Sequence, residues 1–573
     1  WSLAICMAAM EVGAVTLLLL QAAWFRVAEG DCTPRQLHLS LSLPADEALW
    51  VSWLTPDNCT SEVEVSAGDP GVVVGTFTAA EPAHRYTHTN AYYGAYTSDF
   101  VHQVEVTGLG PGQSYSYTAG GRLRGAEGAL REASAVHSFT VPRAAGLREE
   151  MRVAVIGDLG QTGFSRETME DVNRTLEDGQ GAPEFLMLVG DLSYADGNDT
   201  RWDTWGNMME PWLSHLPLVA FPGNHEIDFD SATAETFINY RERFRMPESR
   251  PAITKPGTII ESSTYDFNFT YEYGSSYFSF DVGQAHFLCL NAYVNADEDS
   301  RQYRWVEEDL AAVDRSATPW ILAFVHGPFY NSNTEHQNEV ATLSMKAALE
   351  PLLFRHGVAG VWAGHVHAYE RTHPIYQDAR NSSGPVYVTI GDAGNREGLY
   401  DTWLNDPAAD WYAYRNGSHY GRGDLFLVNS TYLRWEWWPH GHGAAEDVAW
   451  VKNPYTAAAS TDSSSSSSSS SSTGATAIVA LIISSIVVAT IVYLFIQRQR
   501  RQSDLAGNTS LLHKYARRSA QSTSPNQSSH SRLFASEDDL GIWDVDTGKT
   551  TELSHHSGIS RPLSPAAPGH SRV

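Results

Sequence analysis

The chain carries two hydrophobic patterns. Between residues 35 and 141 the apolar positions come in short, often alternating runs: LHLSLSL, ALWVSWL, SEVEVSA, HQVEVTGL, SYSYTAG and VHSFTV, separated by Gly, Pro and Asp. Successive side chains on a strand face opposite ways, so this alternation predicts the half-buried strands of a small antiparallel sandwich. Beyond residue 150 the runs become continuous: MRVAVI (151–156), EFLMLV (184–189), LPLVAF (216–221), WILAFV (320–325) and VAGVWA (358–363). Unbroken Val, Ile, Leu and Phe cut off by Gly or Pro predicts strands buried on both faces, in an α/β domain over 150–452.

Two longer apolar stretches flank these domains. Val12–Ala23, with the small residues Ala28 and Gly30 soon after, has the form of a signal-peptide core and cleavage region within 1–30. Glu11, Arg26 and Glu29 crowd it, and an uncleaved anchor is the alternative. Ala475–Ile496 contains no charged residue and, at 1.5 Å per residue, is long enough to cross ~30 Å of hydrocarbon as one transmembrane helix. The arginines of QRQRRQ (497–502) would then hold the following tail in the cytoplasm. The expected topology is a single-pass type I protein of the secretory pathway, its catalytic part extracellular or lumenal, at the cell surface or in an endolysosomal membrane.

The remaining segments have little apolar content. Residues 456–474, with serine throughout Ser463–Ser472, predict a flexible stalk, and 497–573, with an acidic patch at Glu537–Leu540, a disordered cytoplasmic tail. Glycosylation sequons at Asn58, Asn173, Asn198, Asn268, Asn381, Asn416 and Asn429 suit a secretory-pathway surface. An oxidising compartment would allow Cys32 and Cys59 to pair, whereas Cys289, inside AHFLCLN, has the setting of a buried strand residue. The net charge of −28 argues against a nucleic-acid surface. It leaves an anionic substrate open where bound cations supply the local positive charge.

Each of the five continuous runs ends in a short motif: GDLG (157–160), GDLSYAD (190–196), GNHE (223–226), VHGP containing His326, and GHVH (364–367). Ligands of open α/β sheets bind outside the carboxyl ends of the strands, so these motifs are expected to converge. They would bring together Asp158, Asp191, Tyr194, Asn224, His326, His365 and His367. Taken singly, an Asp after a strand often caps a helix and an Asn in a Gly-Asn turn often serves the turn. The ordered set points to metal. Carboxylate, amide and imidazole without thiolate favour Fe, Zn or Mn over a structural zinc cluster. Seven groups exceed one tetrahedral ion and suit two ions sharing a carboxylate. Tyr194 is the most specific, because a phenol with an ordinary pKa near ~10 gives up its proton to a strong Lewis acid such as Fe(III). The expected cofactors are Fe(III) plus a divalent Zn, Fe or Mn.

With VHGPFYNS (325–332) and GHVHAYERT (364–372) added, these motifs resemble those of the purple acid phosphatases, the dinuclear metallophosphoesterases, over roughly residues 35–450. The resemblance implies an αββα-sandwich metallophosphoesterase domain behind the fibronectin type III-like domain of the plant-type, high-molecular-weight members. It implies hydrolysis of phosphate monoesters by a metal-activated hydroxide. Asp158, Asp191, Tyr194 and His367 would hold the ferric ion. Asp191, Asn224, His326 and His365 would hold the divalent one, Asp191 bridging. His225 and His336 become the candidates for binding phosphate oxygens or protonating the leaving alkoxide. Arg371 could equally support the site or form a structural ion pair. One departure is Glu335, where many plant-type relatives carry a second histidine. The alternatives are a metallo-phosphodiesterase or nucleotide pyrophosphatase, which Tyr194 and the leading sandwich disfavour, a phytase, and a surface receptor with an inactive phosphoesterase-like domain.

Overall fold

A computed structural model describes residues 30–455, apart from 69–70, 126–129, 177, 249–270 and 405–409, together with 542–544 and 549–551. The chain forms two compact units, Trp1–Ser468 and Ser469–Val573. In the first, all five continuous apolar runs form fully buried strands: Met151–Ile156, Leu186–Leu188, Leu218–Ala220, Trp320–Phe324 and Gly360–Ala363. They do not lie in one sheet. The first three pair in parallel within a nine-stranded sheet, and the last two pair in parallel within a seven-stranded sheet. The motifs therefore reach the site from two sheets, three from one and two from the other.

The helices follow the strands they serve. Gly163–Arg174 starts at Thr162, whose hydroxyl accepts the backbone N–H groups of Phe164 and Ser165 and so satisfies donors that the first turn leaves unpaired. Thr200–Leu213 buries Trp202, Trp205, Met208, Met209 and Leu213 at helical spacing and packs on strand Arg35–Leu41. That strand belongs to the N-terminal region, which is more closely joined to the catalytic half than alternation alone suggested. Strands Arg35–Leu41, Leu49–Thr55 and Phe100–Val106 extend the nine-stranded sheet, with Ser40 in parallel register with Leu218. Strands Glu62–Ala67, Val72–Thr78, Ser114–Gly121 and His137–Thr140 form the opposing layer. Trp53, Val63 and Tyr117 share one apolar core with Val153 and Leu186. Cys32 and Cys59 are disulfide-bonded, and Cys289 is free and buried.

Residues 1–29, the Ser-rich stretch from 456 and the apolar run Ala475–Ile496 lie outside the described residues. Among the described residues no helix is long and apolar enough to cross a membrane. Within the tail expected to be disordered, strands Ile542–Asp544 and Lys549–Thr551 pair antiparallel. Ile542, Thr550 and Thr551 are β-branched, a composition that favours strands.

Candidate metal centre

The seven candidate ligands gather where the two sheets meet. Two donor groups emerge. In one, the Tyr194 hydroxyl lies 3.2 Å from Asp158 Oδ1 and 2.9 Å from His367 Nε2, and His367 Nε2 lies 3.5 Å from Asp158 Oδ1. In the other, His326 Nε2 lies 3.0 Å from Asp191 Oδ2 and 3.1 Å from Asn224 Oδ1, and Asp191, His326 and His365 each offer a ligand atom within 4.8 Å of the others. Two donors bound at right angles to one ion at ~2.1 Å stand roughly 3 Å apart, so these spacings fit adjacent ligands on a metal. All but half-buried Asn224 are buried.

The backbone has been bent to aim them. Asp158, Asp191, Tyr194, His365 and His336 all take left-handed φ between 52° and 70°, as Asp196 does at 50°. Non-glycine residues rarely adopt that region, and such clusters mark functional sites. The glycines of the motifs allow close approach: a Cβ on Gly223 would stand 2.0 Å from Asp191 Oδ1, and one on Gly364 2.2 Å from Asp158 Oδ2. Ring orientation is set from behind. His326 Nδ1 bonds Val189 O at 2.8 Å and His367 Nδ1 bonds Gly398 O at 3.1 Å, which fixes those tautomers and leaves each Nε2 for the centre. Glu226 accepts the backbone N–H groups of Asp191, Leu192 and Gly223, each at 2.8 Å, and so ties two motif turns together.

The electrostatics call for a cation. Burial pushes the Tyr194 phenol up, and the charges of Asp158, Asp191 and Glu397 push it further. Burial alone would raise the Asp191 carboxyl, but His326, His225 and His365 hold it below the usual carboxylate range. Burial disfavours a proton on His326, yet Asp191 more than reverses this and sets it at about 9. Lone pairs and negative groups thus crowd one desolvated place, the environment that multivalent cations occupy.

His225 and His336 stand at the mouth of this cluster. His225 lies tilted against Tyr194 with centroids 4.0 Å apart, bonds Asp196 through Nδ1, and holds Nε2 at 3.8 Å from Asp191 Oδ2 and 3.7 Å from Glu397 Oε1. His336 lies against the His365 ring at 3.9 Å and bonds Glu339 Oε1 through Nδ1 at 2.8 Å. His365 Nε2 also contacts Glu339, at 2.7 Å, so this histidine faces both Asp191 and the carboxylate at the rim. Arg371 pairs with Asp447 at 2.6 and 2.8 Å, a structural ion pair. Glu335 is exposed, its N–H donating to Asn333 Oδ1.

Sequence reasoning missed Glu339, Asp196 and a whole loop, 391–400. That loop supplies Gly398 O, Glu397, and Tyr400, which stacks on His367 with centroids 4.5 Å apart. Asn395 Nδ2 also bonds Asp158 O. The signal was there. The buried strand Val386–Ile390 is a sixth apolar run, followed by Gly-Asp like the first two.

Comparison with known proteins agrees with this geometry. The Calcineurin-like phosphoesterase family matches residues 151–369, the Purple acid Phosphatase N-terminal domain 34–141, and the Iron/zinc purple acid phosphatase-like protein C family 384–447. Probable purple acid phosphatase 20 of Arabidopsis thaliana is 34% identical over 74% of this chain and 88% of its own length. Fe(3+)-Zn(2+) purple acid phosphatase 12 of the same plant is 30% identical over 76% and 87%. A purple acid phosphatase from yellow lupin (Lupinus luteus) seeds shares the fold, with a TM-score of 0.61 at 21% identity over 74% of each chain. The chain belongs to the purple acid phosphatase family.

Proposed function

We propose that this chain is a metal-dependent acid phosphatase acting on phosphate monoesters at a dinuclear Fe(III)–M(II) centre. The observation that carries the reading is the division of seven donors into two groups at ligand-to-ligand spacing, Asp158, Tyr194 and His367 in one and Asp191, Asn224, His326 and His365 in the other. Asp158, Tyr194, His367 and Asp191 would hold Fe(III), and Asn224, His326, His365 and Asp191 a divalent Zn, Fe or Mn. Ions bound there supply Lewis acidity and a water acidic enough to act as nucleophile below neutral pH. The protein's own groups do the rest. His225, its charge favoured by Asp196, Asp191 and Glu397, is placed to bind a phosphate oxygen. His336 has Nδ1 occupied by Glu339, which leaves Nε2 to donate a proton to the departing alkoxide. The exposed carboxylate of Glu335 disfavours polyanionic substrates. A violet as-isolated protein containing iron, and faster hydrolysis of a monoester than of a diester, is the expected result. A colourless, fully active protein with divalent metal alone would refute the Fe(III)–tyrosinate assignment.

We also infer a secretory, membrane-anchored topology. The uncharged run Ala475–Ile496, the arginines at 498–501, the sequons and the Cys32–Cys59 disulfide support it. Expressed without the residues after Asp462, the protein should be secreted, glycosylated and active. Its retention in the membrane would point instead to an uncleaved amino-terminal anchor.

A further inference from the structure

The hairpin of strands Thr87–Asn90 and Gly94–Thr97 belongs by sequence to the N-terminal sandwich, yet it faces the catalytic half. His88 on it is fully buried. Its Nδ1 lies 2.8 Å from Asp199 Oδ2 and its Nε2 3.0 Å from the carbonyl oxygen of Asp228. A carbonyl can only accept, so Nε2 donates to Asp228, and although burial opposes a second proton on the ring, the Asp199 carboxyl beside Nδ1 favours it. Asp228 in turn accepts from Gly197 N at 3.2 Å, Trp202 Nε1 at 3.0 Å and Asn239 Nδ2 at 3.1 Å, and Asn239 Nδ2 also reaches Asp199 Oδ1 at 2.5 Å. At the hairpin tip, the Asn90 side chain covers Gly197, where a Cβ would stand 2.0 Å from Asn90 Nδ2. Ser231 seals the other flank, donating from N and Oγ to Thr89 O at 2.9 and 2.7 Å.

What the hairpin grips is the segment that carries the chemistry. Residues 191–199 contain Asp191, Tyr194 and Asp196 in left-handed conformations that the surrounding structure must impose. Glu226 fixes the start of the segment through the N–H groups of Asp191 and Leu192. Its far end, Gly197 to Asp199, is held by the His88 network and by Asn90. We propose that this hairpin is a working part of the catalytic site and that His88 is a positioning residue, clamping the far end of the 191–199 segment so that Asp191, Tyr194 and Asp196 stay aimed at the centre. The N-terminal region thereby has a role in turnover besides scaffolding. The proposal rests on the phosphatase reading above.

A second buried histidine of the same region provides the control. His102 contacts Thr55 Oγ1 at 2.7 Å and Ser61 Oγ at 2.8 Å and stacks on Trp53, all within the sandwich. In the full-length metal-loaded protein, His88→Gln should lower kcat on a phosphate monoester by ~10–100-fold, the scale of a small misplacement of reacting groups. KM should change little, and the visible band of Tyr194 should shift or weaken. His102→Gln should lower the melting temperature yet keep kcat and the band. Losses of kcat in both variants that simply follow their melting temperatures would overturn the proposal, as would a normal kcat and spectrum in His88→Gln. If His88→Gln does not fold, Asn90→Gly removes the cover over Gly197 without emptying the core. It should lower kcat ~2–5-fold with the same band change, on the same positional argument, and unchanged values would be fatal. A wild-type protein without monoesterase activity would instead sink the functional reading itself.

Discussion

His102 in the sandwich and His326 between the two sheets are equally buried, with no exposed surface on either. Their proton affinities are shifted in opposite directions. His102 sits among hydroxyls and against Trp53, and burial, with smaller contributions from Arg124 and His84, pushes it down to about 3. His326 sits on Asp191 and is pushed up to about 9 in spite of burial. Burial alone therefore does not separate a structural from a functional histidine. The partner does: neutral acceptors build a core, whereas carboxylates at strand ends build a place for ions.

That contrast breaks most visibly at Asp191, the carboxylate on which His326 rests and the one proposed to bridge the two ions. Asp191→Ala should lose bound metal and reduce kcat by at least ~10³-fold, the scale of removing a principal transition-state stabiliser. Metal analysis beside kinetics checks it; two retained ions and normal rates would end the dinuclear mechanism. Next in size is His336. Because Glu339 holds its Nδ1, His336→Ala should slow alkyl phosphates by ~10²-fold or more while aryl phosphates, whose leaving groups need less protonation, fall only slightly. Equal losses on both would assign it to phosphate binding or structure.

Tyr194→Phe sharpens the comparison at lower cost. The phenol, raised by burial and by three carboxylates, needs a strong cation to ionise, so its removal should bleach the violet band. The hydroxyl touches Asp158 and His367 rather than either mouth histidine. Turnover should therefore fall only about tenfold, roughly the weight of one good polar interaction. A variant that keeps the colour would place the chromophore elsewhere.

The candidate ligands were legible because buried parallel strands demand continuous apolar runs, and polar chemistry can begin only where such a run stops. Asp158, Asp191, Asn224, His326 and His365 each stand one to three residues past such a run. The supporting carboxylates were not legible. Glu339, Asp196 and Glu397 lie in polar loops without periodicity, and only the fold brings them to His365 and His225. The joining of the sandwich to the central sheet through Ser40 and Leu218 was equally hidden, since alternation reports which face is buried and not which distant strand lies alongside.

The smallest effects concern stability rather than turnover, and they test whether the partner rule holds away from the centre. His286, buried on the seven-stranded sheet, bonds Asp281 at 2.8 Å and Asp309 at 2.9 Å. Burial opposes its proton, but the two carboxylates set it at about 9. Raised above an unfolded value near ~6.5, it contributes stability that is complete below that pH and is lost as pH rises toward 9. His102 has the opposite sign. Depressed to about 3, it contributes nothing above ~6.5 and costs stability as pH falls, because the unfolded chain takes up a proton that the folded one refuses. At 1.36 kcal/mol per pH unit, each effect reaches about 2 kcal/mol some 1.5 units from 6.5, His102 at pH 5 and His286 at pH 8. Measured as the difference from wild type in denaturant midpoint, His102→Gln should flatten only the acid limb of the stability profile and His286→Gln only the alkaline limb. Crossed limbs, or one shift uniform with pH, would mean that neutral and carboxylate partners do not set the charge of buried histidines in this protein.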